Sequence, residues 1–352
     1  MTAIVRVNLD VSDKEIAKSI RIIRAVDSLK TLQKKYSKIV ILSHRGRPKG
    51  INQKLSLRPV GTALSKRLKK KVIFIDNHDL NKARSIIEKG DKGVYLLENV
   101  RFLEGEEKNE SSLSKSLAGL GDIFINDDFA TAHRQSSSVA GITSFIKSIP
   151  GPIMKAEVAA LTKVMRNPKR PLVLIIGGAK VSDKMAVVKN LLPKCDSVLL
   201  GGGAGNTAMM ASGIDIGDSL FDEAFLKEAG RLIKNKKVVY PVDFRVMGKN
   251  ILDIGPNTER LYVDLIKKAG TIVWAGPLGN FEKKEFSRGS VAIAKAIASS
   301  RAFSVAGGGE TTSLITGLGL EKKISFLSTG GSAMLDFLAG KKLPALKALG
   351  IK

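Results

Sequence analysis

Eleven short runs of Val, Ile and Leu, separated by segments with helical periodicity, constrain the fold of this 352-residue chain more than any other feature. The runs are continuously apolar rather than alternating, which is typical of strands buried on both faces of a parallel sheet. Because eleven strands exceed one comfortable open sheet, the sequence predicts an α/β protein with two doubly wound, Rossmann-like parallel-sheet domains that face a central cleft. The predicted strands are Ile4–Leu9, Lys38–Leu42, Val72–Ile75, Val94–Leu97, Asp122–Ile125, Leu172–Ile176, Ser197–Leu200, Val238–Tyr240, Thr271–Trp274, Phe303–Val305 and Ile324–Leu327.

A domain boundary is predicted where Ile149, Pro150, Gly151 and Pro152 interrupt this pattern. A helical stretch from Met154 to Met165 follows, and Asn167 with Pro168 stops it before the next apolar run. We therefore expect a first domain over residues 1–152, an interdomain helix and hinge over 153–168, and a second domain over 169–339.

The chain is strongly basic, with a formal net charge of +25. Such a charge attracts anions in general, including nucleic acid, but its densest run, Lys66–Lys71, is typical of a solvated helix end. Only 5% of residues are aromatic, and no basic strip with interleaved aromatics is present, so a specific nucleic-acid partner is not expected. Small phosphate-bearing ligands fit the charge equally well.

The absence of membrane-spanning, signal-peptide and multi-cysteine patterns from the sequence bears on the location of the protein in the cell. No apolar run of eighteen residues occurs, and the N-terminal residues do not form a signal peptide. Cys195 is the only cysteine, which excludes an internal disulfide and a multi-cysteine metal site. We expect a cytoplasmic protein without a membrane partner.

In the first half, the residues that follow the strands are polar and basic. Ligands bind beyond the carboxyl ends of strands in open parallel sheets, so these residues carry the functional information. Asn8 and Asp10 are placed two residues apart on one face of the first strand. Arginine suits phosphate and carboxylate oxygens, and Arg47, Arg101 and Arg134 each lie just after a strand. Together with His44, they predict a site for a small multiply charged anion.

In the second half, glycines follow the strands instead. Glycine lets the backbone approach a ligand closely, and the next helix offers its N-terminal N–H groups to phosphate. These stretches predict a phosphate-binding rim for a nucleotide, and they are Gly177–Lys184, Gly201–Gly203, Gly276–Pro277, Gly307–Thr311 and Ser328–Gly331. A reaction between the two ligands would be phosphoryl transfer, which depends on positioning and charge stabilisation. A carboxylate acceptor is already ionised, so no general base is needed.

The same residues resemble the phosphoglycerate kinase family along essentially the whole chain. The matching segments, in the order of the family, include Ser43–Pro48, Leu97–Phe102, Thr131–Arg134, Gly177–Lys184, Asp253–Pro256, Trp274 with Gly276–Pro277, Phe281–Glu282 and Ser328–Gly331. The resemblance implies a first domain for 3-phosphoglycerate or 1,3-bisphosphoglycerate and a second for ADP or ATP with Mg²⁺. It also implies that the C-terminal tail, residues 340–352, packs on the first domain.

The resemblance further assigns roles to individual residues. Arg21 and Lys180 would stabilise the transferring phosphoryl group, with Gly330 and Gly331 presenting N–H groups to it. The implied glycerate ligands are Asn8, Asp10, Arg21, His44, Arg47, Arg101 and Arg134. The implied nucleotide ligands are Lys180, Lys184, Gly201, Gly202, Glu282, Gly308, Gly309, Glu310 and Thr311, with Glu310 also contacting the metal of the Mg-nucleotide. Ligands on two domains cannot react until the domains approach and water is excluded, so we expect hinge closure around Ser148–Asn167 when both ligands are bound. We also expect a monomer that acts on these small molecules.

Four departures from the family pattern involve five residues. Asn8 and Asp10 exchange the usual acid and amide, and Ser136 replaces a histidine. Glu310 replaces the metal-contacting aspartate, and a displacement of about 1 Å can cost on the order of 100-fold in rate. Ala275 replaces an asparagine that contacts the nucleotide. One alternative is therefore a catalytically weakened paralogue that binds adenine nucleotide. A second is a dinucleotide-dependent oxidoreductase, because Gly203–Ala208 fits G-x-G-x-x-A after a strand. The ribose-binding acid that such a protein needs after the next strand is missing. A Walker-type P-loop is absent from the sequence.

Overall fold

The computed structural model describes residues 1–179 and 181–351, apart from the side chain of Asp183. The chain divides into two compact units, one of Met1–Val158 with the segment from Lys342 onward, the other of Ala159–Lys341. Each unit contains a six-stranded parallel sheet with helices, which confirms the predicted α/β class.

The first unit is built on six strands and five helices among the described residues. The strands are β1 (Thr2–Arg6), β2 (Lys38–Leu42), β3 (Val72–Ile75), β4 (Gly93–Leu97), β5 (Ile123–Asn126) and β6 (Ser148–Pro150). The helices are α1 (Ile20–Leu32), α2 (Arg58–Leu68), α3 (Leu80–Lys89), α4 (Ser111–Ala118) and, near the C-terminus, α13 (Pro344–Ala348). α5 (Pro152–Arg166) begins in this unit and ends in the other.

The second unit holds eight strands and seven further helices in the part of the chain that is described. The strands are β7 (Leu172–Ile176), β8 (Ser197–Leu200), β9 (Val238–Val239), β10 (Phe244–Met247), β11 (Asn250–Ile254), β12 (Thr271–Ala275), β13 (Phe303–Gly307) and β14 (Phe326–Ser328). The helices are α6 (Ser182–Leu191), α7 (Gly202–Ala211), α8 (Leu226–Leu232), α9 (Pro256–Lys268), α10 (Arg288–Ser299), α11 (Gly309–Gly317) and α12 (Ser332–Leu338).

The order of the strands places a switch point in each sheet. The first sheet runs β3-β4-β2-β1-β5-β6, so the chain leaves β1 on one side and later returns to its other side at β5. The second runs β14-β13-β12-β7-β8-β9, and its reversal lies between β7 and β12. Ligands bind outside the carboxyl ends of strands at such points. The two candidate sites are therefore expected after β1 and β5 and after β7 and β12.

Burial explains why the apolar runs form the central strands. β7 is buried at every position from Leu172 to Ile176, and β12 is buried from Thr271 to Ala275. On both faces of the first sheet, apolar side chains pack against the helices, with Val5 and Ile41 on one face and Ile4 and Val40 on the other. No helix in the described part of the chain is long and apolar enough to cross a membrane.

The structure differs from the sequence prediction at the end of β1, at β6 and at the β10–β11 hairpin. β1 ends at Arg6, so Asn8 and Asp10 lie in the following loop rather than on a strand face. The strand stops there because β2 ends at Leu42, and the Leu9 N–H donates to Ser43 Oγ at 2.9 Å instead of to a neighbouring strand. The predicted interruption near Ser148–Pro152 begins with an edge strand, β6, and the β10–β11 hairpin was not predicted.

Candidate active site

A cavity of about 310 Å³ lies in the first unit, beside the ends of β1 and β5. Its lining combines three arginines with two acids and small polar side chains. The lining residues are Arg6, Arg101, Glu106, Glu107, Thr131, Arg134, Gln135, Ser136 and Val139. The sequence predicts Arg101 and Arg134 here, whereas Arg6, the last residue of β1, was not assigned to the site.

Arg6 is the centre of the polar network under this cavity. The side chain is 2% exposed, and its Nη1 lies 2.9 Å from Asp128 Oδ2. Its Nε donates to Ser138 Oγ at 3.1 Å, and Nη1 donates to the Val7 carbonyl at 2.8 Å. A buried guanidinium is costly unless its charge is paired and its donors are used, and here Asp128 pairs the charge while Ser138 and the Val7 carbonyl accept hydrogen bonds.

Glu106 closes the network on the far side of Ser138. The Glu106 carboxylate is buried and accepts hydrogen bonds from Ser138 Oγ at 2.5 Å and from the Ser138 N–H at 3.0 Å. Ser136 Oγ donates to the same carboxylate at 3.0 Å. Ser136, which stands where the family has a histidine, is thus a buried partner of Glu106.

His44 meets the network at the other end of Arg6. The imidazole is 3% exposed, and its Nδ1 lies 2.9 Å from Arg6 Nη2. Burial lowers the pKa of His44 well below its ordinary value, and the charges of Arg6, Arg101, Arg134 and Arg21 lower it further. His44 is therefore neutral at pH 7, and its 3.7 Å contact from Nε2 to Asp10 Oδ2 is not an ion pair.

This environment predicts a stability that depends on pH. Since His44 has a lowered pKa in the folded state, the unfolded chain binds the proton more tightly. The contribution of His44 is present above the ordinary histidine pKa of 6.5 and is lost as pH falls below that value, by up to about 1.4 kcal/mol per pH unit.

Urea unfolding between pH 7.5 and 5 measures this slope, and the His44→Gln variant should show a smaller one because its side chain does not titrate. Equal slopes in the two proteins would contradict the prediction.

Asp10 and Gly46 connect the other predicted glycerate ligands. Asp10 Oδ1 accepts from the Gly46 N–H at 2.8 Å, and Arg21 Nη1 donates to the Asp10 carbonyl. Arg101 Nη1 donates to the Gly46 carbonyl. The structure therefore brings Arg21, His44 and Arg101 around one short pair of loops.

The remaining predicted cations differ in position and exposure. Arg134 Nη1 lies 3.9 Å from Glu107 Oε1, and Arg101 Nε lies 3.5 Å from the same atom, so Glu107 stands between the two guanidiniums. Arg47 is exposed and forms no ion pair with another described residue. Asn8 donates from Nδ2 to Asp128 Oδ1 at 3.3 Å, and its Oδ1 accepts from the Asp10 N–H at 3.1 Å. Asn8 thus tethers the loop after β1 to the loop after β5.

A second cavity, of about 360 Å³, lies in the second unit beyond the ends of β7 and β12. Glycines and apolar side chains line it, together with a few polar groups. The lining residues are Gly178, Ala179, Gly202, Gly203, Asn206, Leu220, Pro241, Phe244, Ile251, Leu252, Asp253, Ile254, Pro277, Leu278, Gly279, Asn280, Phe281, Glu282 and Glu310. The cavity is large enough for a nucleotide-sized ligand.

Close backbone contact between the ends of β7 and β12 explains two of these glycines. Gly276 has φ +92°, and a Cβ there would lie 2.2 Å from the Gly177 carbonyl oxygen. At Gly177 a Cβ would lie 2.1 Å from the Pro277 carbonyl oxygen. Only glycine fits at either position, since both approaches are to backbone atoms.

Asp253 forms part of the wall of this cavity. Its carboxylate is 2% exposed and accepts from the Ile254 N–H at 2.9 Å and the Gly289 N–H at 2.8 Å. Burial raises the pKa of Asp253 to about 6, although these hydrogen bonds and Arg245, 3.6 Å away, oppose the rise.

Lys184 and Glu310 converge on Gly178. A Cβ built on Gly178 would lie 2.7 Å from Lys184 Nζ and 3.4 Å from Glu310 Oε2. Glu310 is exposed in the first turn of α11, whose N-terminal N–H groups have no partner within the helix. Lys180, the predicted catalytic lysine, lies outside the described residues.

Other predicted nucleotide ligands are committed to contacts within the protein. Thr311 is fully buried, and its Oγ1 accepts from the Gly276 N–H at 2.8 Å. The Gly202 N–H donates to the Leu278 carbonyl at 2.9 Å. Gly202 therefore lines the cavity, but its N–H is not available to a ligand. Gly201 packs against Leu278, where a Cβ would lie 2.6 Å from the nearest side-chain atom. Glu282 is exposed at the edge of the cavity.

The loops before α11 and α12 carry the remaining predicted residues. Gly308 has φ +100° and caps α11, which begins at Gly309. Gly331 has φ +50° and caps α12, while the Gly330 N–H donates to Ser328 Oγ at 3.0 Å. Ala275 is 2% exposed at the end of β12 and is absent from the cavity wall.

Two α/β units, each built on a parallel sheet and each with a cavity beyond the carboxyl ends of its strands, are the architecture expected of a two-domain phosphotransferase. The family model of phosphoglycerate kinase matches residues 1–341. The phosphoglycerate kinases of Clostridium botulinum (strain Hall) and Clostridium tetani are 40% and 39% identical to this chain; each alignment covers 98% of the chain and 94% or 93% of the relative. The chain belongs to the phosphoglycerate kinase family.

Solved structures give the same result. The structure of phosphoglycerate kinase from Coxiella burnetii matches with a TM-score of 0.85 and 38% identity, and that from Pyrococcus horikoshii with 0.87 and 32%. Each match covers 99% of this chain and 96% of the other. The function is therefore phosphoryl transfer between 1,3-bisphosphoglycerate and ADP, which yields 3-phosphoglycerate and ATP. Nothing in these comparisons favours the oxidoreductase or the weakened paralogue.

Proposed function

We propose that the chain performs this transfer with the arginine-lined cavity as the glycerate site and the glycine-lined cavity as the nucleotide site. The observation that carries the proposal is the convergence of four cations on one neutral histidine. Arg6 contacts His44 Nδ1 at 2.9 Å and lines one cavity together with Arg101 and Arg134. Arg21 donates to the carbonyl of Asp10, whose carboxylate lies 3.7 Å from His44 Nε2. Such a concentration of positive charge fits a substrate with a carboxylate and a phosphate.

Within this site the arginines have separate tasks. Arg101 and Arg134 already share one carboxylate, that of Glu107, and a phosphate would take its place between the same two guanidiniums. Arg6 is held by buried contacts with Asp128, Ser138 and the Val7 carbonyl and would serve as a support. Arg21 lies beside Asp10 at the start of α1 and would stabilise charge on the transferring phosphoryl group. Arg47, being exposed, would fold onto the substrate from solvent.

The nucleotide site would supply backbone donors and two lysines. The first turn of α11, after Gly308, offers N–H groups to phosphate, and the end of Lys184 lies beside Gly178. Gly331 would offer its N–H to the moving phosphoryl group, with Gly330 shaping that turn. Lys180 would stabilise the same group. These roles rest on the family resemblance together with the positions of the described residues.

The donor set also fits Mg²⁺ bound together with the nucleotide. Mg²⁺ is usually held by one or two carboxylates plus substrate phosphates, and the exposed carboxylate of Glu310 next to Lys184 is such a donor. When bound there, the ion would neutralise charge on the phosphate oxygens. The described residues contain no group of three or more His, Cys, Asp or Glu side chains that could hold a metal alone.

In the transfer itself, a terminal oxygen of ADP attacks the phosphorus of the acyl phosphate. The bond from phosphorus to the acyl oxygen breaks, and its electron pair leaves with the carboxylate of 3-phosphoglycerate. Neither group needs a proton transfer at neutral pH, so the work of the protein is positioning and charge stabilisation. We expect the two units to close around both ligands, with residues 148–167 as the hinge.

We propose a monomeric, cytoplasmic enzyme. Each candidate site is completed within one unit of a single chain. Cys195 is a buried free thiol, and burial raises its pKa to about 12. A free cysteine is typical of proteins in a reducing compartment such as the cytoplasm.

Steady-state turnover with 1,3-bisphosphoglycerate, ADP and Mg²⁺ tests the proposal. Lys180→Ala should lower kcat at least tenfold, about 1.4 kcal/mol of transition-state stabilisation, with a smaller change in glycerate affinity. Lys189→Ala is the matched control, because Lys189 lies on the neighbouring helix α6 and its half-exposed side chain pairs with Glu228.

Unchanged turnover in Lys180→Ala would remove that residue from the transfer step. Absence of turnover in the wild-type protein would support a weakened paralogue, with Glu310 and Ala275 as the substitutions that account for it.

A further inference from the structure

One nitrogen of His44 is fixed by the protein, and this determines what the other nitrogen can do. Arginine has five N–H donors and no acceptor. Because Arg6 Nη2 lies 2.9 Å from His44 Nδ1, that nitrogen must accept, and the proton of the neutral ring must be on Nε2. The tautomer of His44 therefore follows from the identity of its partner.

Among the described residues, the Nε2–H group has no partner of comparable quality. Asp10 Oδ2 lies 3.7 Å away, which exceeds a normal N–H···O distance, and the Asp10 carboxylate is held by Gly46 through its other oxygen. The charged groups around the ring are Arg6, Arg21, Arg101 and Arg134 together with Asp10. A ring donor among four cations is suited to an anionic oxygen.

Arg6 itself has little freedom to move. Asp128, Ser138 and the Val7 carbonyl hold three sides of its guanidinium, and Glu106 holds Ser138 in turn. Each residue of this network is at most 3% exposed, and the network joins the end of β1 to the segments after β4 and β5. The ring of His44 is therefore positioned by the core of the first unit.

We propose that Arg6 is a positioning residue for the glycerate: it holds Nδ1 of His44 as an acceptor, so that Nε2–H is the donor offered to an anionic oxygen of the substrate. This inference rests on the proposed glycerate site and adds to it the atom of His44 that binds and the residue that selects it.

Two substitutions at His44 separate the binding nitrogen from the supporting one. The glutamine amide nitrogen overlies Nε2, so His44→Gln keeps a donor for the substrate but loses the acceptor for Arg6. The oxygen of asparagine can overlie Nδ1, so His44→Asn keeps the acceptor but loses the donor. We expect His44→Gln to keep the dissociation constant for 3-phosphoglycerate within about threefold of wild type. We expect His44→Asn to raise it at least tenfold, because hydrogen bonds to charged groups are among the strong ones.

Stability should follow the opposite order, with a lower urea midpoint for His44→Gln than for His44→Asn. A merely structural histidine predicts that His44→Asn is the better variant in both measurements, which would overturn the proposal. The tautomer is read directly by ¹⁵N NMR of the wild-type ring, where Nδ1 should show the shift of an unprotonated nitrogen and Nε2 that of a protonated one. Arg6→Lys, whose ammonium is compact, should allow the second tautomer to appear; a wild-type ring protonated on Nδ1 would also overturn the proposal.

The proposed glycerate site can fail separately. Calorimetric titration of the wild-type protein with 3-phosphoglycerate checks that site, and loss of binding in Arg134→Ala assigns it to this cavity. If Arg134→Ala binds normally, the site is wrong; if it loses binding while both His44 variants bind equally, only the role of Arg6 and His44 is wrong.

Discussion

Arg6→Met is expected to lower the free energy of unfolding of the first unit by about 3–5 kcal/mol, because removing one partner of a buried ion pair leaves the other charge unpaired. Asp128 is 1% exposed and loses the cation that it pairs with. Ser138 Oγ loses the hydrogen bond that it accepts from Arg6 Nε. Methionine fills similar volume, so the loss is mainly electrostatic rather than a cavity effect.

The effect should be confined to the first unit. Hydrogen exchange of the β1 and β5 amides reports that unit, and fluorescence of Trp274, the single tryptophan, reports the second. Arg84→Met is the control, since Arg84 pairs with Glu88 on the exposed face of α3 and both side chains are more than half exposed. Surface pairs of this kind contribute about 0.3–0.5 kcal/mol, so the control should hardly change stability. A loss below about 1 kcal/mol in Arg6→Met would contradict the assigned network.

Arg101→Met is expected to raise the KM for 3-phosphoglycerate about 100-fold, equivalent to about 2.7 kcal/mol, because charge-assisted bonds to phosphate are the strong ones. The Arg101 side chain is 8% exposed, its Nη1 is fixed by the Gly46 carbonyl, and its Nε faces Glu107. The guanidinium is thus held in place before the substrate arrives, which lowers the entropic cost of binding.

The KM for ATP should stay within about twofold of wild type, because the nucleotide cavity is formed by other residues in another unit. Arg58→Met removes an exposed arginine of the same unit that pairs with Asp76 and stacks on Phe74, and it should leave both KM values unchanged. An equal rise in both KM values for Arg101→Met would indicate a general defect and not a glycerate ligand.

Much of the fold could be predicted because apolar runs report burial directly. β7 and β8 begin and end where their apolar runs do, since both faces of these strands are covered. The β10–β11 hairpin was not predicted because Phe244 and Val246 point into solvent or to the cavity edge, so no continuous apolar run marks it. The short edge strand β6 contains Pro150, a residue that argues against a strand unless the strand is at an edge.

The candidate site was predictable only in part. Residues after strands, such as Arg101 and Arg134, follow from the rule that parallel strands present their carboxyl ends to ligands. Arg6 was not assigned to the site, although it belongs to a recognised segment, because its partners Asp128 and Ser138 are more than 100 positions away along the chain. The exchange of acid and amide at Asn8 and Asp10 could be read from the sequence, whereas the tether from Asn8 to Asp128 needed the structure.

Calorimetric titration of Arg101→Met and Lys184→Ala with 3-phosphoglycerate and, separately, with ADP and Mg²⁺ tests the central claim that the two cavities serve the two substrates. We predict a crossed result: Arg101→Met loses binding of 3-phosphoglycerate and keeps that of the nucleotide, and Lys184→Ala does the reverse. If either substitution weakens both ligands equally, or if Arg101→Met affects only the nucleotide, the assignment of the two sites is contradicted.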